Sequence, residues 1–241
     1  WGIENDTLVI YLASDNGGTA GVKLFNAGMK GGKNTPYQGG TRVPCFWRWP
    51  AGGIPANVEC GALTAHIDIF PTLAAITGAK LSDEVKGQVE GRSLLPLLKN
   101  PRSEWPGRTL VHHGGRWDKG KVAEAKHINC SIQNSRFTLV NNRELYDLEA
   151  DPGEEHNILA DHPEVVARLR TAYDQWWDEV QPMLVNENAF GPTINPMKAL
   201  YWQQFGGGPD AKLLNQMDPA RKIDGPRRRA IQTQVKNAGE L

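Results

Sequence analysis

The chain of 241 residues carries 27 basic and 27 acidic side chains, so its formal net charge is zero. That balance leaves no electrostatic footprint for nucleic acid or an anionic membrane, and the length fits one large domain or two small ones. Three dispersed cysteines make neither a disulfide framework nor a zinc spacing, so they do not fix a compartment.

Residues 7–13, Thr-Leu-Val-Ile-Tyr-Leu-Ala, form a nearly unbroken apolar run rich in β-branched side chains, which predicts a strand buried on both faces. Asp15 and Asn16 follow at its carboxyl end, the edge where open α/β sheets bind ligands. A carboxylate and an amide oxygen suit Ca²⁺ or Mg²⁺, and Gly17-Gly18 permits a turn that would let both reach one ion. The same four residues are also ordinary turn formers. Lys33 lies between Gly31-Gly32 and Asn34. Such a lysine either holds an anion or is solvated, and the spacing is not that of a nucleotide P-loop because Asn34 follows it.

Residues 1–105 alternate strand and helix signals, as at the end of an α/β domain. The clearest helix there covers 68–77 and stops at Gly78. Short strand signals follow at 109–112, 128–132, 137–140 and 145–148, which predicts a small antiparallel sheet. His112-His113 stands at the end of the first of these and offers a hydrogen-bond donor or a proton; two partly exposed histidines beside Gly114-Gly115 are the plain alternative. His66 is expected to be structural. Pro163 starts a strong helix at its first position. Its apolar residues Val165, Val166, Leu169, Tyr173, Trp176, Trp177 and Val180 recur at helical spacing and are expected to pack on the sheet. Residues 186–241 change character, with a short helix expected at 197–205, a Gly206-Gly207-Gly208 hinge and the basic Arg227-Arg228-Arg229.

Residues 30–44 read Lys-Gly-Gly-Lys-Asn-Thr-Pro-Tyr-Gln-Gly-Gly-Thr-Arg-Val-Pro. With the Asp15-Asn16-Gly17 turn before it, this segment resembles the metal and sulfate site of the arylsulfatase-type sulfatases of the alkaline phosphatase superfamily. Those proteins show Asp-Asn-Gly and then a segment close to Arg/Lys-Gly-Gly-Lys-Gly-Thr-x-Tyr-Glu-Gly-Gly-x-Arg-Val-Pro. Asn34 and Gln38 depart from that pattern. The likeness continues through His66-Ile67-Asp68-Ile69-Phe70-Pro71-Thr72, Glu90-Gly91-Arg92-Ser93-Leu94, Glu144-Leu145-Tyr146-Asp147-Leu148 and Asp151-Pro152-Gly153-Glu154-Glu155-His156-Asn157.

The resemblance implies the end of a large mixed-sheet α/β catalytic domain (1–105), then a small antiparallel sheet packed on a helix (106–185), then a carboxyl-terminal extension (186–241). It implies hydrolysis of a sulfate monoester, with Asp15 and Asn16 as metal ligands, usually for Ca²⁺, and Lys33 as the catalytic lysine that holds a sulfate oxygen and the leaving-group side. His112 and His113 become candidates for substrate binding, His113 also for catalysis. The partner would be a sulfated small molecule or sulfated glycan, with no nucleic acid and no membrane span. Family members use a formylglycine nucleophile made from a Cys/Ser-x-Pro/Ala-x-Arg motif, which Cys45, Cys60, Cys130 and the serines of this chain do not begin. The chain begins at Trp1 without a signal-like segment, so the expectation is a carboxyl-terminal part, inactive alone, that packs on an absent amino-terminal part; the resemblance suggests a periplasmic or secreted enzyme. A phosphatase or phosphodiesterase of the same superfamily, commonly with two zinc ions and histidine beside the strand-end aspartate, and a non-catalytic binding module are the alternatives.

Overall fold

The computed structural model describes residues 1–13, 17–19, 21–115, 117, 120–184 and 194–217. Asp15, Asn16 and the basic triplet at 227–229 lie outside the described residues. The chain divides into two units, Trp1–Leu184 and Val185–Leu241.

In the first unit the apolar run forms β1 (Val9–Leu12). After α1 (Gln38–Thr41) comes β2 (Cys45–Arg48), which pairs with β1 antiparallel, Val9 opposite Arg48 and Leu12 opposite Cys45. The strand is where the sequence places it, but its burial is not: Val9 is 47% exposed, Tyr11 62% and Phe46 63%. An unbroken apolar run specifies a strand meant for cover on both faces; a two-stranded ribbon does not supply that cover.

The helix expected at 68–77 is α2 (Ile69–Thr77), ended by Gly78 in the left-handed region at φ 66° with its N–H on the Ala74 carbonyl. Two short helices follow, α3 (Asp83–Gln88), whose Ser82 N-cap oxygen accepts from the Val85 amide, and α4 (Leu95–Lys99) with Pro96 in its first turn. Asp68, fully buried, ties these pieces together. Its carboxylate accepts from the amides of Ala65 and Arg92 and from both terminal nitrogens of Arg108, at 2.5–2.8 Å. One turn on, the Thr72 hydroxyl donates to the Asp68 carbonyl and accepts from the Leu94 amide.

A four-stranded antiparallel meander follows, β3 (Leu110–His113), β4 (Cys130–Gln133), β5 (Phe137–Val140) and β6 (Glu144–Asp147), in chain order. Strand alternation sorts its side chains into two faces. Cys130, Ile132, Leu139 and Leu145, with Val111 and Phe137, pack against α5 (Pro163–Leu184) through Val165, Val166, Leu169, Tyr173 and Trp177. The helix that periodicity predicts is therefore present and buries the expected stripe. The opposite face carries Gln133, Thr138, Val140, Glu144 and Tyr146 by the same registers.

In the second unit, α6 (Pro196–Phe205) begins at Asn195, whose side chain accepts from the Met197 amide, and α7 (Ala211–Met217) follows three glycines at positive φ. The Tyr201 and Phe205 rings meet at a tilt of 41° with centroids 4.9 Å apart. No described helix is long and apolar enough to cross a membrane.

Candidate anion and metal site

The glycine-rich segment 31–40 folds back on itself. Gly32 accepts on its carbonyl from the Thr35 amide at 3.0 Å and the Thr35 hydroxyl at 2.8 Å, and the Gly39 amide returns to the Lys30 carbonyl at 2.8 Å. Asn34, standing where the family usually has glycine, takes φ 69°, a conformation asparagine tolerates because its short polar side chain can bond locally. Asparagine can therefore occupy this left-handed position of the loop.

The turn after Asn16 reaches this loop directly. The Lys33 amide donates to the Gly18 carbonyl at 3.0 Å. Gly17, at φ 79°, has no room for a Cβ, which would collide with the Gly39 carbonyl and the Lys33 amide. The two glycines that follow Asn16 in sequence and the loop that carries Lys33 thus meet backbone to backbone. Gly17→Ala is expected to cost about 1–3 kcal/mol through left-handed strain alone, with the collision added, and urea unfolding measures it.

The loop is seated on the sheet face opposite α5. Gln38 donates from Nε2 to Gln133 Oε1 at 2.9 Å, Tyr37 donates to Glu144 at 2.9 Å, and Lys30 Nζ donates to the Tyr146 hydroxyl at 2.7 Å. Lys30 also lies over the rings of Tyr37 and Tyr146, 4.6 and 4.7 Å from their centroids. Burial, followed by the Glu144 carboxylate, pushes the Tyr37 phenol up to about 12 and the Tyr146 phenol higher still. Both are therefore hydrogen-bond donors at every ordinary pH. Gln38, at the position where the pattern has glutamate, instead makes an amide-to-amide hydrogen bond with Gln133.

The adjacent histidines part company. His113 shares the helix face: its Nε2 lies 3.1 Å from the Ala125 carbonyl and its ring packs 5.1 Å from Trp177 and 6.3 Å from Tyr173. Burial holds its pKa below the usual imidazole value. His113 is thus half-buried beside α5, and the catalytic and substrate role suggested for it stays a proposal. His112 is on the other face, paired across from Ser131. Its Nδ1 is buried without a partner among the described residues. Burial, then the charge of neighbouring His66, drive its pKa down to about 4, so it is neutral at pH 7 and acts as a hydrogen-bond group rather than a cation. His66, expected to be structural, begins a short 3-10 turn before α2 and is exposed.

Lys30, Tyr146 and Glu154 are residues the sequence did not single out, though each sits inside a motif it did. The Leu-Tyr-Asp-Leu and Asp-Pro-x-Glu-x-x-Asn stretches prove to be mostly structural. Asp147 accepts from Arg136 at 2.7 and 2.9 Å, Asp151 caps the turn through the Glu155 and His156 amides, and Asn157 accepts from the amides of Leu145 and Leu159. No group of three or more His, Cys, Asp or Glu among the described residues could hold a metal. Asp15 and Asn16 remain the metal candidates; as oxygen donors they fit a hard cation such as Ca²⁺ better than zinc.

The family model for the C-terminal region of N-sulphoglucosamine sulphohydrolase matches residues 32–177. A sulfatase of Formosa agariphila is 31% identical over 169 residues, which cover 67% of this chain and 30% of that protein. Steryl-sulfatase of Mus musculus is 30% identical over 222 residues, covering 72% of this chain and 35% of that protein. The crystal structure of Ps i-CgsB shares the fold at TM-score 0.59 and 23% identity, over 83% of this chain and 41% of that one. The chain thus spans about a third of the length of the curated relatives it matches.

Proposed function

Because this chain belongs to the sulfatase family, matching the C-terminal part of its members, we propose that it supplies the anion-binding side of a centre that hydrolyses sulfate monoesters. The observation that carries this reading is the backbone contact between the Gly17-Gly18 turn and the Lys33 loop, because Gly17 follows the metal-ligand candidates Asp15 and Asn16 directly in sequence. A sulfate monoester bears negative charge on its sulfuryl oxygens, and more gathers on the departing oxygen as the S–O bond breaks. The Lys33 ammonium, a compact charge with rotatable donors, is suited to meet that charge as it develops. His112, neutral and with an unsatisfied ring nitrogen, is suited to a hydrogen bond with the sulfate or the alcohol it leaves.

Asp15 and Asn16 would hold a divalent cation, Ca²⁺ by their donor chemistry, which when bound would neutralise the sulfuryl oxygens. No cysteine or serine of these 241 residues begins the Cys/Ser-x-Pro/Ala-x-Arg motif, so the chain alone is proposed to be inactive. The exposed apolar side chains of β1 and β2 are proposed to pack on the remaining length seen in the relatives. The substrate is a sulfated small molecule or sulfated glycan; with Asn16 rather than histidine after Asp15, zinc-dependent phosphate hydrolysis is the poorer fit.

The test is hydrolysis of a chromogenic aryl sulfate and its phosphate counterpart by the full-length protein. Sulfate turnover well above phosphate turnover supports the reading, and the reverse order refutes it. In the same protein Asp15→Ala should lose most of its bound calcium, as elemental analysis would show. Full metal content in that variant removes Asp15 from the site.

A further inference from the structure

Glu154 is fully buried and holds φ 56°. Its Oε2 accepts from the Gln38 amide at 2.8 Å, while Oε1 meets no donor among the described residues. A carboxyl side chain is rarely taken fully out of water with one oxygen unsatisfied unless it holds something in place. What it holds is the other end of the segment that carries Lys33, contributed by a turn 116 positions away in the chain.

We propose that Glu154 is a positioning residue for the anion loop: from beneath, its carboxyl group grips the Gln38 amide and fixes the segment 31–40 on the sheet, which keeps Lys33 at the Gly17-Gly18 turn. The proposal rests on the sulfatase reading only for what the held lysine is for. Several charges face this carboxyl from the elements around it. Lys30, on the loop side, favours the ionised form. Asp151 on its own turn and Glu144 on β6 oppose it, and the Tyr37 and Tyr146 phenols lie within range of its charge. Burial dominates, and the balance leaves Glu154 raised from 4.5 to about 7. The sign follows from an acid whose folded pKa is raised: its contribution is fully present below about 4.5 and is lost as the pH climbs through about 7. Ionisation leaves a buried charge that the Gln38 amide and Lys30 offset only in part, so the seated loop is less stable on the alkaline side.

Hydrogen exchange of the intact protein without substrate tests this, reading peptides that cover 31–41 against peptides from β4–β6. In Glu154→Ala, loop protection should fall by about tenfold, the upper end for one neutral hydrogen bond, while strand protection stays within about twofold. Glu154→Gln, which keeps an acceptor for the Gln38 amide, should retain most loop protection and abolish the loosening that the unaltered protein shows between about pH 4.5 and pH 7. Unchanged loop protection in Glu154→Ala, an equal fall across β4–β6, or the same pH dependence in Glu154→Gln overturns the proposal. Because exchange is read without turnover, a protein that loosens as expected but leaves sulfate esters intact refutes the sulfatase reading and leaves the clamp standing.

Discussion

Arg108→Met is expected to lower the unfolding free energy by about 3–5 kcal/mol, the range for stripping one partner from a buried ion pair. The Arg108 side chain is 6% exposed and Asp68 is fully buried, so removal of the guanidinium strands a carboxylate that cannot reach water. Two backbone amides, of Ala65 and Arg92, would remain on it and do not cancel its charge. The loss would spread beyond the pair, since Asp68 and Thr72 together join the start of α2 to the Arg92–Leu94 turn. There is also a pH signature. Burial alone would raise the Asp68 pKa, yet the Arg108 guanidinium and the two amides hold it below the usual carboxylate value. A depressed folded pKa contributes stability above the unfolded value near 3.8 and loses it as the pH falls through the folded value. Urea unfolding between pH 3 and pH 7 should therefore show an acid-side decline in the unaltered protein that Arg108→Met flattens.

Lys33→Ala in the full-length protein is expected to lower kcat for a sulfate ester by about 10²–10³-fold, the usual loss when one preorganised donor is taken from a developing oxyanion. KM should change less, because the charge that Lys33 would meet is greatest in the transition state. Lys33→Arg is not expected to restore the rate. Its planar fork is wider than an ammonium, and the loop that presents it is closed tightly by Thr35 and Gly39. Far-ultraviolet circular dichroism and urea midpoints near those of the unaltered protein would separate this loss from misfolding.

Local periodicity made most of this fold legible. The strand signal at 137–140 and the helical stripe from Val165 to Trp177 appear where the pattern puts them, because β5 and α5 each find their apolar partner within the same short stretch of chain. β1 shows the limit: its apolar run predicts a strand, but cover on its faces depends on chain that local pattern does not contain. The histidine pair shows another. Alternation requires His112 and His113 to face opposite ways, yet which one shares the loop's face of the sheet is decided by where α5 docks. Glu154 and Lys30 stayed hidden because their contacts join segments 116 residues apart, and no spacing in the chain announces such a meeting. Lys33 stood out because glycine, proline and tyrosine surround it in a fixed register, whereas Asp15 and Asn16, equally clear in sequence, lie outside the described residues.

The most direct test of the account is a crystal structure of the full-length protein with calcium and a sulfate ester or inorganic sulfate. The account predicts calcium held by side-chain oxygens of Asp15 and Asn16 at about 2.3–2.6 Å, with Lys33 Nζ within hydrogen-bond distance of a sulfate oxygen. Calcium bound by other residues, or sulfate bound away from Lys33, would contradict it.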